Sequence, residues 1–468
     1  MKIDTGAQFI IDTLLDNGHQ AYLVGECVRD LMLDKSPDDW DIGTSALPEE
    51  IYELFDNLGI SVIKTGIKHG TISVLLTEFD VKSILAGDNT LGIKQRLDDT
   101  PRIYEVTTFH KSSTMNHPEY IEFTSELETD LARQDFTINA LAYNYQEGAI
   151  DYFGCCNDIH TKTIKCINSP YKVLSENPLN ILRAVRYASQ LGFSIDSSIL
   201  EAMNILIPQG FLYGLCPEQI QSELFKIICG KYAEEALLKY CNVIKAILPE
   251  IEATIGFDQK NKNHKYTVYE HMVKALNVLN QLGIDDTRLK VAVFLHDIGK
   301  PISARLKEDG QLNYHGHCGA SAAIAERLLT RLNCTHDTIK DICDLIKYHD
   351  SRAKTKSELK RIVNKLGSVN TSRLIDLMHA DILAQSNFNI DEKISTIRNM
   401  RAWLKEITED NEQFKVQDLE INGDDLINLG YKPGIKFGLI LNSLMGLVLD
   451  GKVANTHDEL VDYVVSHY

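Results

Sequence analysis

The spacing of apolar residues separates an N-terminal part that contains strands from a longer part that is nearly all helical. Residues 5–15 carry apolar side chains at a helical period and end at Asn17-Gly18, a typical helix stop. Runs rich in β-branched and aromatic residues follow at 21–25, 69–75 and 103–109. The first part is therefore predicted to be an α+β unit, a small mixed sheet with helices.

From about residue 161 onward the apolar residues keep a helical period. Ser175 is predicted to cap a helix whose first turn holds Pro178 and whose end is Gly192. The polar residues 258–263 predict a linker, and the remainder is again predicted to be helical. Residues 81–102 are polar and irregular, which predicts a surface insertion within the first part.

Composition limits the classes of function. The chain has 468 residues, of which 44% are hydrophobic and 24% charged, as is typical of a globular protein with about three domains. The ten cysteines include no Cys-x-x-Cys pair, and no apolar run approaches the ~20 residues of a membrane span. We therefore expect reduced thiols, a cytoplasmic location and no membrane contact.

The formal net charge is −18, so binding to RNA would need a local basic patch. One basic stretch occurs in this acidic chain, and it consists of Lys354, Lys356, Lys360, Arg361 and Lys365. Two interpretations stay open for it: it follows a phosphate backbone, or it is a solvated helix face.

Two carboxylates mark the first candidate site. Asp39 and Asp41 are two residues apart in a segment predicted to be a short strand, where side chains alternate between faces. Their carboxylates would therefore point the same way and bind a hard cation such as Mg²⁺. Glu105, central in a later strand, is a candidate third ligand. The alternatives are a solvated strand end for the aspartates and a structural partner for the glutamate.

Further residues could hold a triphosphate beside these carboxylates. Gly25 lies at a strand-to-helix turn, where backbone N–H groups can approach phosphate, and Arg29 would add positive charge. Arg133 and Asp135 begin another apolar stretch and are candidates for nucleotide contact. The alternatives are a plain turn with a surface arginine and a salt-bridged helix start.

Histidines and aspartates recur in order through the helical second half. The series is His271, His296-Asp297, His317, His349 and Asp381. One histidine on an apolar face is usually a core residue, but this ordered series resembles the HD phosphohydrolase superfamily. Imidazole and carboxylate donors suit Mn²⁺, Fe²⁺, Ni²⁺ or Zn²⁺, and a bound metal can activate water.

The HD resemblance implies a role for each member of the series. The core metal ligands would be His271, His296, Asp297 and Asp381. His317 and His349 would hold a second metal or bind phosphate. Lys300 would neutralise the phosphate of a substrate.

The motifs of the first part occur in the order of one enzyme family. They are Leu23-Val24-Gly25-x-x-Val28-Arg29-Asp30, Asp39-x-Asp41-Ile42-x-Thr44-Ser45, Asp135-Phe136-Thr137-Ile138-Asn139-Ala140 and Leu182-Arg183-Ala184-Val185-Arg186-Tyr187. The chain resembles the class II tRNA nucleotidyltransferase (CCA-adding) and bacterial poly(A) polymerase family, in its form with an attached HD domain. The similarity extends to Asn422-Gly423 and to residues 430–434 near the C-terminus.

This resemblance implies a polymerase-beta-like head with Asp39, Asp41 and Glu105 as catalytic carboxylates. The nucleotide-binding residues that it implies are Gly25, Arg29, Arg133, Asp135, Asn139, Glu176, Asn177, Asn180, Arg183 and Arg186. The domain boundaries that we predict are 1–158 for the head, 159–255 for a helical RNA- and nucleotide-binding neck and body, 256–400 for the HD domain and 401–468 for a C-terminal helical tail.

Several positions depart from the family's pattern. Glu26 stands where a second small residue normally follows the glycine, and His110 and Gln134 each replace an arginine. The loop at 111–117 looks shortened and poorer in arginine. The family's base-reading Glu-Asp-x-x-Arg motif occurs here as residues 176–180, Glu-Asn-Pro-Leu-Asn. Two asparagines keep hydrogen-bonding groups but lose both charges.

Two hypotheses follow for the function. In the first, the protein uses Mg²⁺ to add CMP and AMP from CTP and ATP to the 3′ end of RNA, most readily tRNA. In the second, the protein is a metal-dependent HD phosphohydrolase whose degenerate N-terminal half only binds RNA or nucleotide. The intact aspartate pair favours the first, and the altered nucleotide-handling positions favour the second.

Overall fold

The computed structural model describes residues 3–64, 66–77, 80–81, 100–111, 121–262, 264–409 and 416–468. Most of the predicted insertion at 81–102 and of the loop at 111–117 lies outside the described residues. The chain forms two compact units. One comprises Met1–Ala188 with Phe193–Phe211, and the other Ser189–Gly192 with Leu212–Tyr468. The finer division into four domains stays a prediction.

The first unit is built on a seven-stranded sheet with strand order β3-β4-β5-β2-β1-β6-β7. The strands are β1 (Ala21–Val24), β2 (Asp41–Thr44), β3 (Ser61–Ile63), β4 (Thr71–Leu76), β5 (Arg102–Thr108), β6 (Leu141–Asn144) and β7 (Gly148–Asp151). Strands β2 and β5 pair in parallel, and the other neighbouring pairs are antiparallel. The predicted small mixed sheet is therefore confirmed.

The first unit also contains helices. They span Thr5–Asp16, Glu26–Met32, Pro48–Asn57, Leu127–Leu131, Cys155–His160, Pro170–Glu176, Leu179–Leu191 and Ser197–Leu206, and a short parallel pair joins β8 (Thr163–Ile164) to β9 (Ser194–Ile195). The first helix begins where predicted because Asp4 caps it, accepting hydrogen bonds from the backbone N–H groups of Gly6 and Ala7.

The predicted cap at Ser175 is wrong. Ser175 lies in the last turn of the helix Pro170–Glu176, where its hydroxyl donates to the Lys172 carbonyl at 3.1 Å. The next helix begins after Pro178, because a proline cannot donate the backbone hydrogen bond that would continue the first helix. A single predicted helix is therefore two helices joined at Asn177.

The second unit is nearly all helical, as predicted. Its helices span Pro217–Cys229, Ala233–Lys239, Cys241–Ile247, Val268–Gln281, Thr287–Leu295, Lys300–Ser303, His317–Arg331, His336–Tyr348, Lys356–Ala384, Ile390–Glu409, Gly423–Asn428, Ile435–Leu449 and His457–His467. A two-stranded hairpin pairs β10 (Arg305–Leu306) with β11 (Leu312–Asn313). Among the described residues, none of the helices is long and apolar enough to cross a bilayer.

The predicted linker at 258–263 is also wrong in part. Gln259 is 1% exposed, its carbonyl accepts a hydrogen bond from the Tyr314 hydroxyl, and its side chain accepts one from Lys300. Lys260 accepts a backbone bond from Leu312. A polar composition predicts solvent exposure, but here the polar groups are buried with hydrogen-bond partners.

Candidate functional site

The strand pairing brings two of the predicted head carboxylates together. Asp41 is the first residue of β2 and pairs with Glu105 in the neighbouring parallel strand β5. Asp39 lies in a bend before β2, so the prediction that it belongs to the strand is wrong. The bend still keeps Asp39 close enough to Asp41 for its negative charge to act on that carboxyl.

Asp41 has the electrostatics of a group that needs a cation. Burial raises its pKa to about 6, and the negative charges of Glu105, Glu26 and Asp39 add to the effect. A divalent ion would remove this repulsion, so the residues fit Mg²⁺. The role of the three carboxylates as ligands stays a prediction.

Gly25 forms the turn beside Asp41. Its φ of 80° and ψ of −139° lie in a region that favours glycine. A Cβ at this position would lie 3.9 Å from Asp41 Oδ2. The bare backbone therefore keeps the space over the carboxylate open, as approach by a phosphate requires.

The negative charge of Glu26, beside this space, is paired with neighbouring side chains. Its Oε1 accepts hydrogen bonds from Arg186 Nη2 at 3.1 Å and from the Tyr187 hydroxyl at 2.6 Å. Its Oε2 lies 3.4 Å from Arg29 Nη2. Burial opposes ionisation of Glu26, but Arg186 and Arg29 outweigh it and lower the pKa to about 2.

Two of the predicted nucleotide-binding arginines are therefore already engaged. Arg29 is 3% exposed and pairs with Asp30 at 2.8 Å, while its Nη1 donates to Asn139 Oδ1 at 2.8 Å. Arg186 is 6% exposed and lies over the Tyr187 ring at 4.2 Å. Through Glu26, Arg186 connects the helix Leu179–Leu191 to the helix that follows the turn at Gly25.

Asp135, Asn139 and Arg183 continue the same network. Arg183 Nη1 lies 2.8 Å from Asp135 Oδ2, and Asn139 Nδ2 donates to the Tyr187 hydroxyl at 2.9 Å. Burial raises the pKa of Asp135, although Arg183 opposes this rise. The structure thus brings together six of the ten predicted nucleotide-binding residues around Glu26 and Tyr187, namely Gly25, Arg29, Asp135, Asn139, Arg183 and Arg186.

Arg133 lies apart from that network, next to a different carboxylate. Its Nη2 lies 2.9 Å from Asp130 Oδ1, and the backbone N–H of His110 donates to the same oxygen at 3.0 Å. The Arg133 side chain is 26% exposed, which leaves room for a further partner. The salt-bridged interpretation is therefore correct for its present contact, and nucleotide binding stays a prediction.

The three remaining residues lie at the junction of two helices. Glu176 ends one helix, and the Asn177 side-chain oxygen accepts a hydrogen bond at 3.2 Å from the N–H of Leu179, the first residue of the next helix. Asn180 is 5% exposed, and its Oδ1 has no hydrogen-bond partner among the described residues. An unpaired buried amide oxygen is costly unless a ligand or water satisfies it.

All six residues of the predicted HD series converge in the second unit. His271 Nε2 lies 3.0 Å from Asp381 Oδ1, and His296 Nε2 lies 3.1 Å from Asp297 Oδ2. Asp297 is 1% exposed, and its Oδ1 lies 3.5 Å from His317 Nε2 and 3.7 Å from His349 Nε2. Its other oxygen, Oδ2, lies 2.6 Å from Lys300 Nζ.

Backbone carbonyls orient three of these imidazoles. The Nδ1 atoms of His296, His317 and His349 lie 2.7, 2.8 and 2.6 Å from the carbonyl oxygens of Val293, Tyr314 and Ile346. Each ring is therefore held as the tautomer that leaves Nε2 free to accept a metal. Gln385 similarly donates to both carboxylate oxygens of Asp381 at 2.9 Å.

These groups fit a divalent metal. His296 Nε2 and Asp297 Oδ1 are buried and lack hydrogen-bond partners among the described residues. Within the described parts of the chain, three sets of donor atoms lie within 4.8 Å of one another, and all three belong to this cluster. Burial opposes ionisation of Asp297, but His296 and Lys300 hold its pKa well below the usual range.

Sequence reasoning overlooked several residues at these sites. Glu26 appeared only as a misplaced charge because its partners are 160 and 161 residues away. Cys318 was included only among the ten cysteines predicted to be reduced, but its Sγ lies 3.6 Å from His317 Nε2. The adjacent pair His317-Cys318 was the available signal. Gln385 had no signal beyond its position four residues after Asp381.

The predicted basic stretch is partly neutralised. Lys356 pairs with Glu406 at 3.0 Å, and Arg361 pairs with Asp450. Both acceptors belong to neighbouring helices or their ends. These pairs favour the structural interpretation of the two residues over contact with a phosphate backbone.

Comparison with known proteins identifies a domain around each candidate site. Residues 21–165 match the poly A polymerase head domain, and residues 268–385 match the HD domain. A CCA-adding enzyme of Leuconostoc mesenteroides is 28% identical over 462 residues, covering 97% of this chain and 94% of the relative. One of Lactobacillus delbrueckii is 35% identical over 238 residues, covering 50% of this chain and 53% of the relative.

Solved structures show the same fold. The Bacillus stearothermophilus CCA-adding enzyme in complex with CTP has a TM-score of 0.71 at 21% identity, over 100% of this chain and 98% of that chain. The Thermotoga maritima enzyme complexed with tRNA_CCA has a TM-score of 0.56 at 19% identity, over 100% and 97%. The chain therefore contains a poly A polymerase head domain and an HD domain, and it is similar along nearly its whole length to CCA-adding enzymes.

Proposed function

We propose that the protein adds CMP and AMP from CTP and ATP to the 3′ end of tRNA. The observation that carries the proposal is the pairing of Asp41 with Glu105 beside the open turn at Gly25. Relatives that align along nearly the whole chain are named CCA-adding enzymes, and solved structures of that name contain CTP, ATP or tRNA. A cytoplasmic location agrees with a tRNA substrate.

In this proposal Asp39, Asp41 and Glu105 hold Mg²⁺. Bound metal supplies positive charge to the attacking and leaving oxygens of an in-line phosphoryl displacement. The 3′ hydroxyl of the RNA attacks the α-phosphate of the NTP, and its proton passes to solvent. The bond to the β-phosphate breaks, and pyrophosphate leaves.

The neighbouring residues orient the triphosphate and the helix that faces the base. The turn at Gly25 lets backbone N–H groups approach phosphate because Gly25 has no side chain to extend towards Asp41. Arg133, which is partly exposed, provides positive charge. Arg29 and Arg186 act through Glu26, which joins them into one buried network, and they position the helix that carries Arg183.

Base recognition falls to Glu176, Asn177 and Asn180. An asparagine amide offers both a donor and an acceptor, so it can pair with the edge of cytosine or adenine without carrying charge. The buried Asn180 Oδ1, which has no partner among the described residues, provides one such acceptor. We expect weaker discrimination between bases than a charged Asp and Arg pair would give.

The test is incorporation of labelled nucleotide into a tRNA transcript that lacks its 3′ CCA. Purified protein, Mg²⁺ and each NTP are supplied singly and together. We expect CMP addition from CTP alone and AMP addition only after CMP. Absence of incorporation under every condition would refute the proposal and restore the alternative of a binding domain.

The intact HD set supports a second activity, a metal-dependent phosphohydrolase. Its six ligands converge, and backbone carbonyls orient three of the imidazoles. Mn²⁺, Ni²⁺, Fe²⁺ or Zn²⁺ suits these donors, and such an ion makes a nucleophile of bound water. Hydrolysis of a generic phosphodiester with Mn²⁺ or Ni²⁺ should be lost in Asp297→Ala. Equal rates in the two proteins would refute this activity.

A further inference from the structure

The Glu26 carboxylate lies at the centre of a group of donors in the head that would suit a phosphate. Its Oε1 accepts hydrogen bonds from Arg186 Nη2 at 3.1 Å and from the Tyr187 hydroxyl at 2.6 Å. Its Oε2 lies 3.4 Å from Arg29 Nη2. Guanidinium and hydroxyl groups donate to phosphate oxygens as readily as to a carboxylate. Glu26 therefore occupies a site whose chemistry fits a phosphate group.

Glu26 is also the member of this group that reaches solvent. Its side chain is 39% exposed, whereas Arg29, Arg186 and Tyr187 are buried. An anion that approaches from solvent would thus meet the Glu26 carboxylate before it meets either guanidinium group.

The formal charges of the surrounding network balance only when Glu26 is counted. Three guanidinium groups face three carboxylates, and these residues are Arg29, Arg183 and Arg186 with Glu26, Asp30 and Asp135. Without the charge of Glu26 the network would carry excess positive charge. A local excess of positive charge attracts anions.

The same carboxylate lies close to the candidate metal ligands. Glu26 directly follows Gly25, where a Cβ would lie 3.9 Å from Asp41 Oδ2, and its negative charge acts on the Asp41 carboxyl. A triphosphate held beside Asp41 would bring further negative charge into this space. Like charges at close range repel, so Glu26 and the triphosphate would oppose each other there.

We propose that the Glu26 carboxylate competes with a phosphate group of the incoming nucleotide for Arg29, Arg186 and the Tyr187 hydroxyl. When the triphosphate binds, the Glu26 side chain turns towards solvent and phosphate oxygens accept its hydrogen bonds. Glu26 thereby lowers the affinity of the head for nucleotide. This inference rests on the proposed function, because it takes the triphosphate to bind beside Gly25.

The two arginines have other contacts that keep them in place during this exchange. Arg29 pairs with Asp30 at 2.8 Å, and its Nη1 donates to Asn139 Oδ1 at 2.8 Å. Arg186 lies over the Tyr187 ring at 4.2 Å. The exchange therefore replaces one anion by another without moving the guanidinium groups.

The first test is a calorimetric titration of the full-length protein with inorganic triphosphate and Mg²⁺, without RNA. Glu26→Gln removes the charge, and Glu26→Ser also removes most of the side chain. Both variants should bind triphosphate about tenfold more tightly than the unaltered protein, because one like charge at close range is gone. Glu53→Gln, an exposed change in the same unit, should bind like the unaltered protein.

A purely structural role of Glu26 predicts the opposite result. The arginines would then lose their orientation in the Glu26 variants, and triphosphate would bind more weakly. Weaker or unchanged binding in the folded variants would overturn the proposal, as would undetectable binding in all four proteins. The titration involves no transfer of nucleotide, so its outcome is separate from incorporation into tRNA.

A crystal structure of the unaltered protein with inorganic triphosphate and Mg²⁺ tests the exchange without any variant. We expect phosphate oxygens against Arg186 Nη2 and the Tyr187 hydroxyl, with the Glu26 carboxylate displaced from both. A bound triphosphate with Glu26 still hydrogen-bonded to Arg186 and Tyr187 would overturn the proposal.

Discussion

The pairing of Glu26 with Arg29 and Arg186 makes a sharp prediction about the stability of the head. Glu26→Gln removes the carboxylate charge and keeps the size of the side chain. Arg29 and Arg186 are 3% and 6% exposed, and both would lose the Glu26 carboxylate as a counter-charge, although Arg29 would keep Asp30. Removing one partner from a buried group of charges is costly, and the variant should therefore be less stable.

The magnitude follows from the pKa of Glu26. It is lowered from 4.5 to about 2, and this difference corresponds to about 3 kcal/mol of unfolding free energy. The Glu26 side chain is 39% exposed, so solvent screening reduces the expected loss to about 1–2 kcal/mol. Because the folded pKa is lowered, this stabilisation is complete above pH 4.5 and is lost as the pH falls towards 2.

Urea unfolding followed by tryptophan fluorescence measures the effect. The chain has two tryptophans, and Trp40 is 9% exposed in the head, so Trp403→Phe makes the signal specific for this unit. Glu53→Gln, an exposed change in the same unit, is the matched control. If Glu26→Gln and Glu53→Gln unfold at the same urea concentration at pH 7, the reasoning is refuted. A loss as large at pH 3.5 as at pH 7 would also contradict it.

Three further predictions concern neighbouring contacts. Tyr187→Phe should lower the unfolding free energy by about 1–3 kcal/mol in the same fluorescence assay, because Asn139 Nδ2 loses a buried acceptor. An unchanged urea midpoint of unfolding would contradict this prediction. Gly25→Ala and Gly18→Ala should each lower the unfolding free energy by about 1–3 kcal/mol, because both glycines have φ near 80°. Only Gly25→Ala should also reduce the rate of nucleotide transfer, and equal transfer rates in the two variants would contradict the role of the turn. Gln385→Leu should weaken metal binding at the HD site about 10–100-fold in a titration, whereas Gln311→Leu should bind metal as tightly as the unaltered protein. Equal metal affinities in the two variants would contradict the role of Gln385 in orienting Asp381.

Much of the fold could be predicted because its signals are local. The alternation of buried Ile72, Val74 and Leu76 in β4 and the cap at Asp4 depend on neighbouring residues. The split at Asn177 was not predicted because Ser175 and Pro178 fit a helix start as well as a helix end. The buried Gln259 was not predicted because its partners, Tyr314 and Lys300, are 55 and 41 residues away.

The sites show the same limit. The order of the predicted HD ligands can be recognised in the sequence, and their side chains converge in the structure. By contrast, the sequence shows Glu26 only as a departure from the family's pattern, and the neutralisation of its charge depends on where the helix Leu179–Leu191 packs. The spacing of motifs cannot predict side-chain partners that depend on tertiary packing. The structure thus removes one objection to an active head, because the unfavourable charge is paired.

The most direct measurement is the rate of CMP addition to a tRNA transcript lacking CCA, compared between Asp41→Asn and Asp38→Asn. The two variants remove one charge each from the same segment, and Asp38 is exposed before the bend residue Asp39. Metal-assisted charge stabilisation is worth several kcal/mol, so we expect Asp41→Asn to lose on the order of 10³-fold in rate. Asp38→Asn should keep the rate of the unaltered protein. Equal rates in the two variants would contradict the assignment of the catalytic carboxylates.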